Sequence, residues 1–153
     1  MFKKIIIGND HGGCEVKGAI IAQLESKGIQ VTNIGTDAAE VVRYPLYARQ
    51  VAEAVASGAQ DGGILICSTG VGMAITANKF KGIRASLCTS HYMAKMTRQH
   101  NDSNVLCLGG KITGIYELLE IVDAWLEHEY IGGRHEISLG LIREIEGQRG
   151  AAG

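Results

Sequence analysis

Five short runs of apolar, often β-branched residues, each followed by a stretch with helical spacing, limit this chain more than any other feature of its sequence. The runs are 4–7 (Lys-Ile-Ile-Ile), 30–34, 63–67, 84–87 and 104–108, and each reads as a buried strand. Between them, 15–27 places Val16, Ala19, Ile20 and Leu24 on one helical stripe and stops at Gly28. A second helix opens at Pro45, where a missing N–H costs nothing, and runs to Ser57. Helices are also expected over 73–80, 90–100 and 115–130, the last burying Leu118, Leu119, Val122, Trp125 and Leu126, with a final one over 138–147. Strand and helix alternating at this spacing specify parallel strands joined by crossovers. The expected fold is therefore α/β: a doubly wound, five-stranded parallel sheet with helices on both faces, of Rossmann-like type.

The 153 residues, 46% of them apolar, suffice for one core, so 1–153 is read as a single domain with the glycine- and alanine-rich 147–153 as a flexible tail. Fifteen basic and sixteen acidic side chains leave a net charge of −1, which provides no global field for nucleic acid or an anionic membrane. The opening Met1-Phe2-Lys3-Lys4-Ile5-Ile6-Ile7-Gly8 has too few apolar residues for a secretory signal, and no apolar run approaches the roughly 18 residues of a membrane span. Cys14, Cys67, Cys88 and Cys107 form no C-x-x-C pair, which argues against a zinc site or a stapled secreted domain. The expectation is a cytoplasmic protein with reduced thiols.

In open parallel sheets ligands bind beyond the carboxyl ends of the strands, here loops 8–13, 35–44, 67–72, 88–91 and 109–114. The most informative is Cys67-Ser68-Thr69-Gly70-Val71-Gly72. Its glycines allow close approach of backbone to ligand, the following helix start offers N–H groups to an anion, and the same field would stabilise a thiolate at Cys67. A P-loop would need Gly-Lys-Ser/Thr where Gly72 is followed by Met73, and the phosphatase loop would need arginine at that same Met73. A dinucleotide fingerprint would need glycine at Ile75, and a nucleophile elbow would need glycines at Leu65 and Thr69. Proton abstraction beside a carbonyl needs a base and an oxyanion-stabilising group, which Cys67 and the Gly70–Gly72 backbone could supply; the alternative is that Cys67 is a small buried strand residue. Asp10 is either a helix cap or a ligand, His11 a phosphate donor or an exposed loop histidine, and His100 a helix-terminal residue or part of a site.

The segments Gly8-Asn9-Asp10-His11-Gly12, Tyr44-Pro45, Gly63 through Gly72, Ala77-Asn78-Lys79, Gly82-Ile83-Arg84-Ala85, Arg98-Gln99-His100-Asn101-Asp102 and Gly132-Gly133-Arg134-His135 occur in the order and spacing of one family. The chain resembles ribose-5-phosphate isomerase B and galactose-6-phosphate isomerase. The resemblance implies an aldose–ketose isomerase of a phosphorylated sugar, working without metal or cofactor. It makes Cys67 the base that moves a proton between C2 and C1, Thr69 its assistant, and Gly70, Val71 and Gly72 the anion-binding backbone, with Ser68 beside them among the substrate-binding residues. It gives His100 ring opening, Asn101, Asp10 and Tyr44 the sugar hydroxyls, and His11 and Arg134 the phosphate. Lys111 stands where a phosphate arginine is common, and Ser138 where a second arginine usually follows Arg134. Ribose 5-phosphate is the leading substrate, with allose or galactose 6-phosphate, or a non-catalytic sugar-phosphate-binding subunit, as alternatives. The resemblance also implies a homodimer or homotetramer whose site combines two subunits.

Overall fold

The computed structural model describes residues 1–151. Five strands form one sheet: β1 (Lys4–Asn9), β2 (Gln30–Asn33), β3 (Gly62–Cys67), β4 (Ala85–Leu87) and β5 (Val105–Gly109). All neighbours are parallel and the order is β2-β1-β3-β5-β4. The helices are α1 (Cys14–Ser26), α2 (Tyr44–Ala56), α3 (Val71–Ala77), α4 (His91–Asn101), α5 (Ile115–Glu127) and α6 (Arg134–Ala151), and a single 3-10 turn over His11–Gly13 precedes α1. The expected α/β sheet with helices on both faces is the one observed.

Strand alternation divides the core in two. Ile5, Ile7, Ile64, Ile66, Leu106 and Leu108 point to one face, where Val16, Ile20 and Leu24 of α1, Ala94 of α4, and Leu118, Ile121, Val122 and Trp125 of α5 cover them. Ile6, Leu65, Cys67, Val105 and Cys107 point to the other, beneath Ala48, Val51, Ala52 and Val55 of α2 and Met73 and Ala77 of α3. Trp125 is fully buried; its indole N–H donates to Ser103 Oγ at 3.1 Å, and Phe2 stacks on its ring.

Several expected details differ. Ala19 is exposed, and the charged residue Lys17 lies buried beside the α1 stripe instead. Leu119 and Leu126 pack at the margin of the core, while Ile121 and Ala124 complete the buried face of α5. That helix ends at Glu127 because His128 takes up extended backbone at ψ 145°. The last helix starts at Arg134 rather than Ser138 and includes 147–151, the first part of the expected tail; residues 152 and 153 lie outside the described residues. No helix among the described residues is long and apolar enough to cross a membrane.

The edge strand β4 is closed locally by one side chain. Asn78, just after α3, accepts from the Ala85 N–H at 2.9 Å and donates to the Ala85 carbonyl at 2.8 Å.

Candidate active site

Three loops converge beyond the carboxyl ends of the central strands β1, β3 and β5. The contact is backbone to backbone. A Cβ on Gly12 would lie 2.5 Å from the Ser68 nitrogen, and one on Gly110 would lie 2.5 Å from the Gly12 carbonyl oxygen. The Gly110 N–H donates to the Cys67 carbonyl at 2.8 Å and the Lys111 N–H to that of Ser68 at 3.1 Å. Only glycine fits such an approach.

Cys67 ends β3 at the centre of this junction, with 6% of its surface exposed. The turn after it brings the Gly70 N–H to 3.1 Å from its Sγ, a donor placed to stabilise a thiolate. That geometry requires Gly70 at φ +79°, and a side chain there would also meet Leu87 and the Leu108 backbone. Val71 N–H donates to Thr69 Oγ1 at 3.3 Å, which leaves the threonine hydroxyl hydrogen able to point elsewhere. Two of the three N–H groups expected to face an anion are thus engaged with Cys67 and Thr69.

Two of the other thiols are unsuited to act as a base. Burial pushes Cys88 up to about 12 and Cys107 higher still. Cys14 turns its Sγ to the loop after β2, within hydrogen-bond distance of the carbonyls of Ala38, at 3.1 Å, and Thr36, at 3.4 Å.

Around Cys67, the structure gathers most of the residues singled out in the sequence. Asp10, 4% exposed, caps the turn by accepting the Gly12 N–H at 2.8 Å, so the capping role is real and its second carboxylate oxygen lies 4.0 Å from His11. His11 Nδ1 accepts the Val42 N–H at 3.3 Å, from the loop that leads to Tyr44. Tyr44 lies against Gly72: a Cβ there would come within 2.7 Å of its ring. Ser68, half-buried, touches Gly12, and Lys111 pairs with Glu15 at 2.9 Å across the mouth of the junction.

His100, Asn101 and Arg134 are elsewhere. Helix α4 leaves the carboxyl end of β4 and returns to the amino end of β5, so its last residues lie at the opposite edge of the sheet from Cys67. There the His100 ring stacks on His135 with centroids 4.0 Å apart and planes 11° apart. Burial first, then the neighbouring His100 and Arg134, lowers the affinity of His135 for a proton. A groove of about 410 Å³ lined by Asn78, Arg84, Asn101, Ile142, Ile145 and Glu146 opens at this end and does not reach Cys67. Arg134 and Ser138 lie one turn apart on α6, so a guanidinium at 138 would share the Arg134 face.

The readings from sequence missed His135 and Lys17. His135 adjoins Arg134 in Gly132-Gly133-Arg134-His135 with nothing local to mark its ring stacking, and Lys17 interrupts an otherwise apolar stripe at i−3 from Ile20, a signal open to sequence inspection.

Residues 5–142 match the family model described as Ribose/Galactose Isomerase. The chain is 51% identical to ribose-5-phosphate isomerase B of Escherichia coli K12, over 96% of this chain and 99% of that protein. Among solved structures it is similar to Clostridium thermocellum ribose-5-phosphate isomerase B, with a TM-score of 0.93 and 50% identity over 95% of this chain and 99% of that one. It is also similar to ribose-5-phosphate isomerase B of Mycoplasma genitalium with bound ribulose-5-phosphate, with a TM-score of 0.90 and 38% identity over 94% and 95% of the two chains.

Proposed function

This chain belongs to the ribose/galactose isomerase family, and we propose that it interconverts ribose 5-phosphate and ribulose 5-phosphate with Cys67 as the proton-transfer base. The observation that carries the assignment of the base is the sulfur at the end of β3, receiving the Gly70 N–H where three loops meet. In the open-chain aldose the Cys67 thiolate takes the C2 proton, leaving an enediolate. The same sulfur returns the proton to C1 while the hydroxyl proton passes from O2 to O1, with Thr69 assisting that exchange. Oxyanion charge is met by the backbone of Val71 and Gly72, which the substrate reaches by displacing the Thr69 contact. Asp10, Tyr44 and Ser68 receive the sugar, and His11 with Lys111 forms the near side of the phosphate seat.

Ring opening by His100, hydroxyl binding by Asn101 and phosphate binding by Arg134 require these residues to reach Cys67 from a second copy of the chain. Their place at the far edge of the sheet supports a homodimer in which each site takes Cys67 from one subunit and His100 from the other. The side chains exposed beside that groove, Ile142 and Ile145, supply apolar surface for such a contact. A base that must remain a reduced thiol fits a cytoplasmic setting.

The test is Cys67→Ala. Isomerisation of ribose 5-phosphate is expected to fall to background while sugar-phosphate affinity stays within about tenfold, because a base acts on the transition state. Turnover at the normal rate by this variant would remove Cys67 from the mechanism. A panel including allose and galactose 6-phosphates fixes the substrate: the pentose is expected to have the highest kcat/KM.

A further inference from the structure

The ammonium group of Lys17 is buried in a protein whose other amines are mostly at the surface, and the catalytic reading gives it no role. Its side chain is 5% exposed, and Nζ donates to the Thr36 carbonyl at 2.9 Å and to Asp37 Oδ1 at 2.6 Å. The same Thr36 carbonyl receives Asn9 Nδ2 at 2.9 Å, and the Thr36 N–H returns to the Asn9 carbonyl at 3.2 Å. One peptide carbonyl is therefore held by the end of β1 and the first turn of α1 together. A buried ammonium is costly unless its donors are used, so the site commits Lys17 to this carbonyl and to Asp37.

The segment so anchored runs on to Val42, whose N–H donates to His11 Nδ1. A nitrogen that accepts carries no hydrogen, so while the Val42 contact stands the neutral His11 ring bears its proton on Nε2, although Asp10 Oδ2, 4.0 Å from the same Nδ1, pulls the other way. We propose that Lys17 is a positioning residue for the phosphate seat: by fixing the loop over 36–42 it holds His11 in the Nε2–H tautomer and aims that donor at the substrate phosphate. This rests on the assignment of His11 to phosphate made above. Asp37, 86% exposed, is the outer half of the same clamp.

The experiment combines histidine ring ¹⁵N spectra of the substrate-free protein with steady-state kinetics and competition by inorganic phosphate. Wild type is expected to show His11 as a single Nε2–H tautomer. Lys17→Met keeps the length of the side chain and removes the donors; it is expected to give mixed tautomers at His11 and to raise KM and the inhibition constant for phosphate by about tenfold, with kcat within about twofold. Asp37→Ala, a change at an exposed position that leaves the core intact, is expected to move the same quantities in the same direction by about threefold. An unchanged His11 spectrum and KM in the two variants overturns the proposal, as does a loss of kcat at unchanged KM. His11→Ala separates the premise from the inference. Normal KM in that variant withdraws the phosphate role of His11, while the spectra still decide whether Lys17 sets its tautomer.

Discussion

At the scale of single residues, Gly70 shows how the backbone would prepare Cys67 for its proposed role as base. Its φ of +79° is the conformation that turns its own N–H back onto Cys67 Sγ, and the surrounding Leu87 and Leu108 leave no room for a side chain. Gly28 has nearly the same φ, +76°, with open space around it. Gly28→Ala is expected to cost about 1–2 kcal/mol from the left-handed backbone alone and to leave turnover untouched. Gly70→Ala adds a steric clash and displaces the donor, so thermal melting and kcat are both expected to fall, kcat by at least about tenfold. Equal effects of the two substitutions on kcat would mean that the Gly70 N–H does not support the thiolate. Residues of this kind were legible in the sequence because Cys67 through Gly72 combine a nucleophile with glycines after a strand. His135 was not, because stacking depends on a neighbour 35 positions away, and nothing local to the residue announces it.

The element that carries the proposed ring-opening residue is the end of α4. Asp102 closes it in the left-handed region at φ 46°, donates its N–H to the Thr97 carbonyl, and bridges Arg84 at 2.9 Å and Arg98 at 3.2 Å. Burial pulls Arg98 below the usual guanidinium range, and the Asp102 carboxylate opposes that pull. Asp102→Ala is expected to destabilise the fold by about 1–2 kcal/mol, at the low end for a charged network because the carboxylate is partly solvated. It also loosens His100, so activity on cyclic substrate is expected to fall by more than activity on erythrose 4-phosphate, which cannot close the ring. An unchanged melting temperature would show that the bridge contributes nothing. Strands and most helices were readable because their apolar periods differ and glycine punctuates them. The start of α6 was not: Ser138 resembles an N-cap, but Gly132 and Gly133 turn the chain at positive φ so that the helix begins at Arg134. Strand order also escaped, since a buried parallel strand carries the same pattern whichever neighbour it pairs with.

For the whole molecule, the proposed mechanism makes activity a property of paired chains, because Cys67 and His100 lie at opposite ends of the sheet. Mixing Cys67→Ala and His100→Ala subunits after reversible dissociation tests this. In a mixed dimer one site lacks the two groups together and the other has both, so an equal mixture is expected to recover about a quarter of wild-type activity on cyclic substrate, given a two-fold shared site. No recovery, with mixed dimers confirmed by mass, would mean that the site is complete within one chain. The placement of His100 away from Cys67 within one chain was open to sequence reasoning, because a residue at the end of a helix that follows a parallel strand has returned to the strand's starting edge. Asn78 offers Ala85 the two partners that an adjoining ribbon would offer, and so leaves no free rung at that point for a neighbour's backbone to extend. Backbone growth of the sheet past β4 is thereby blocked at Ala85, so copies meeting at that point would have to touch through side chains and helices.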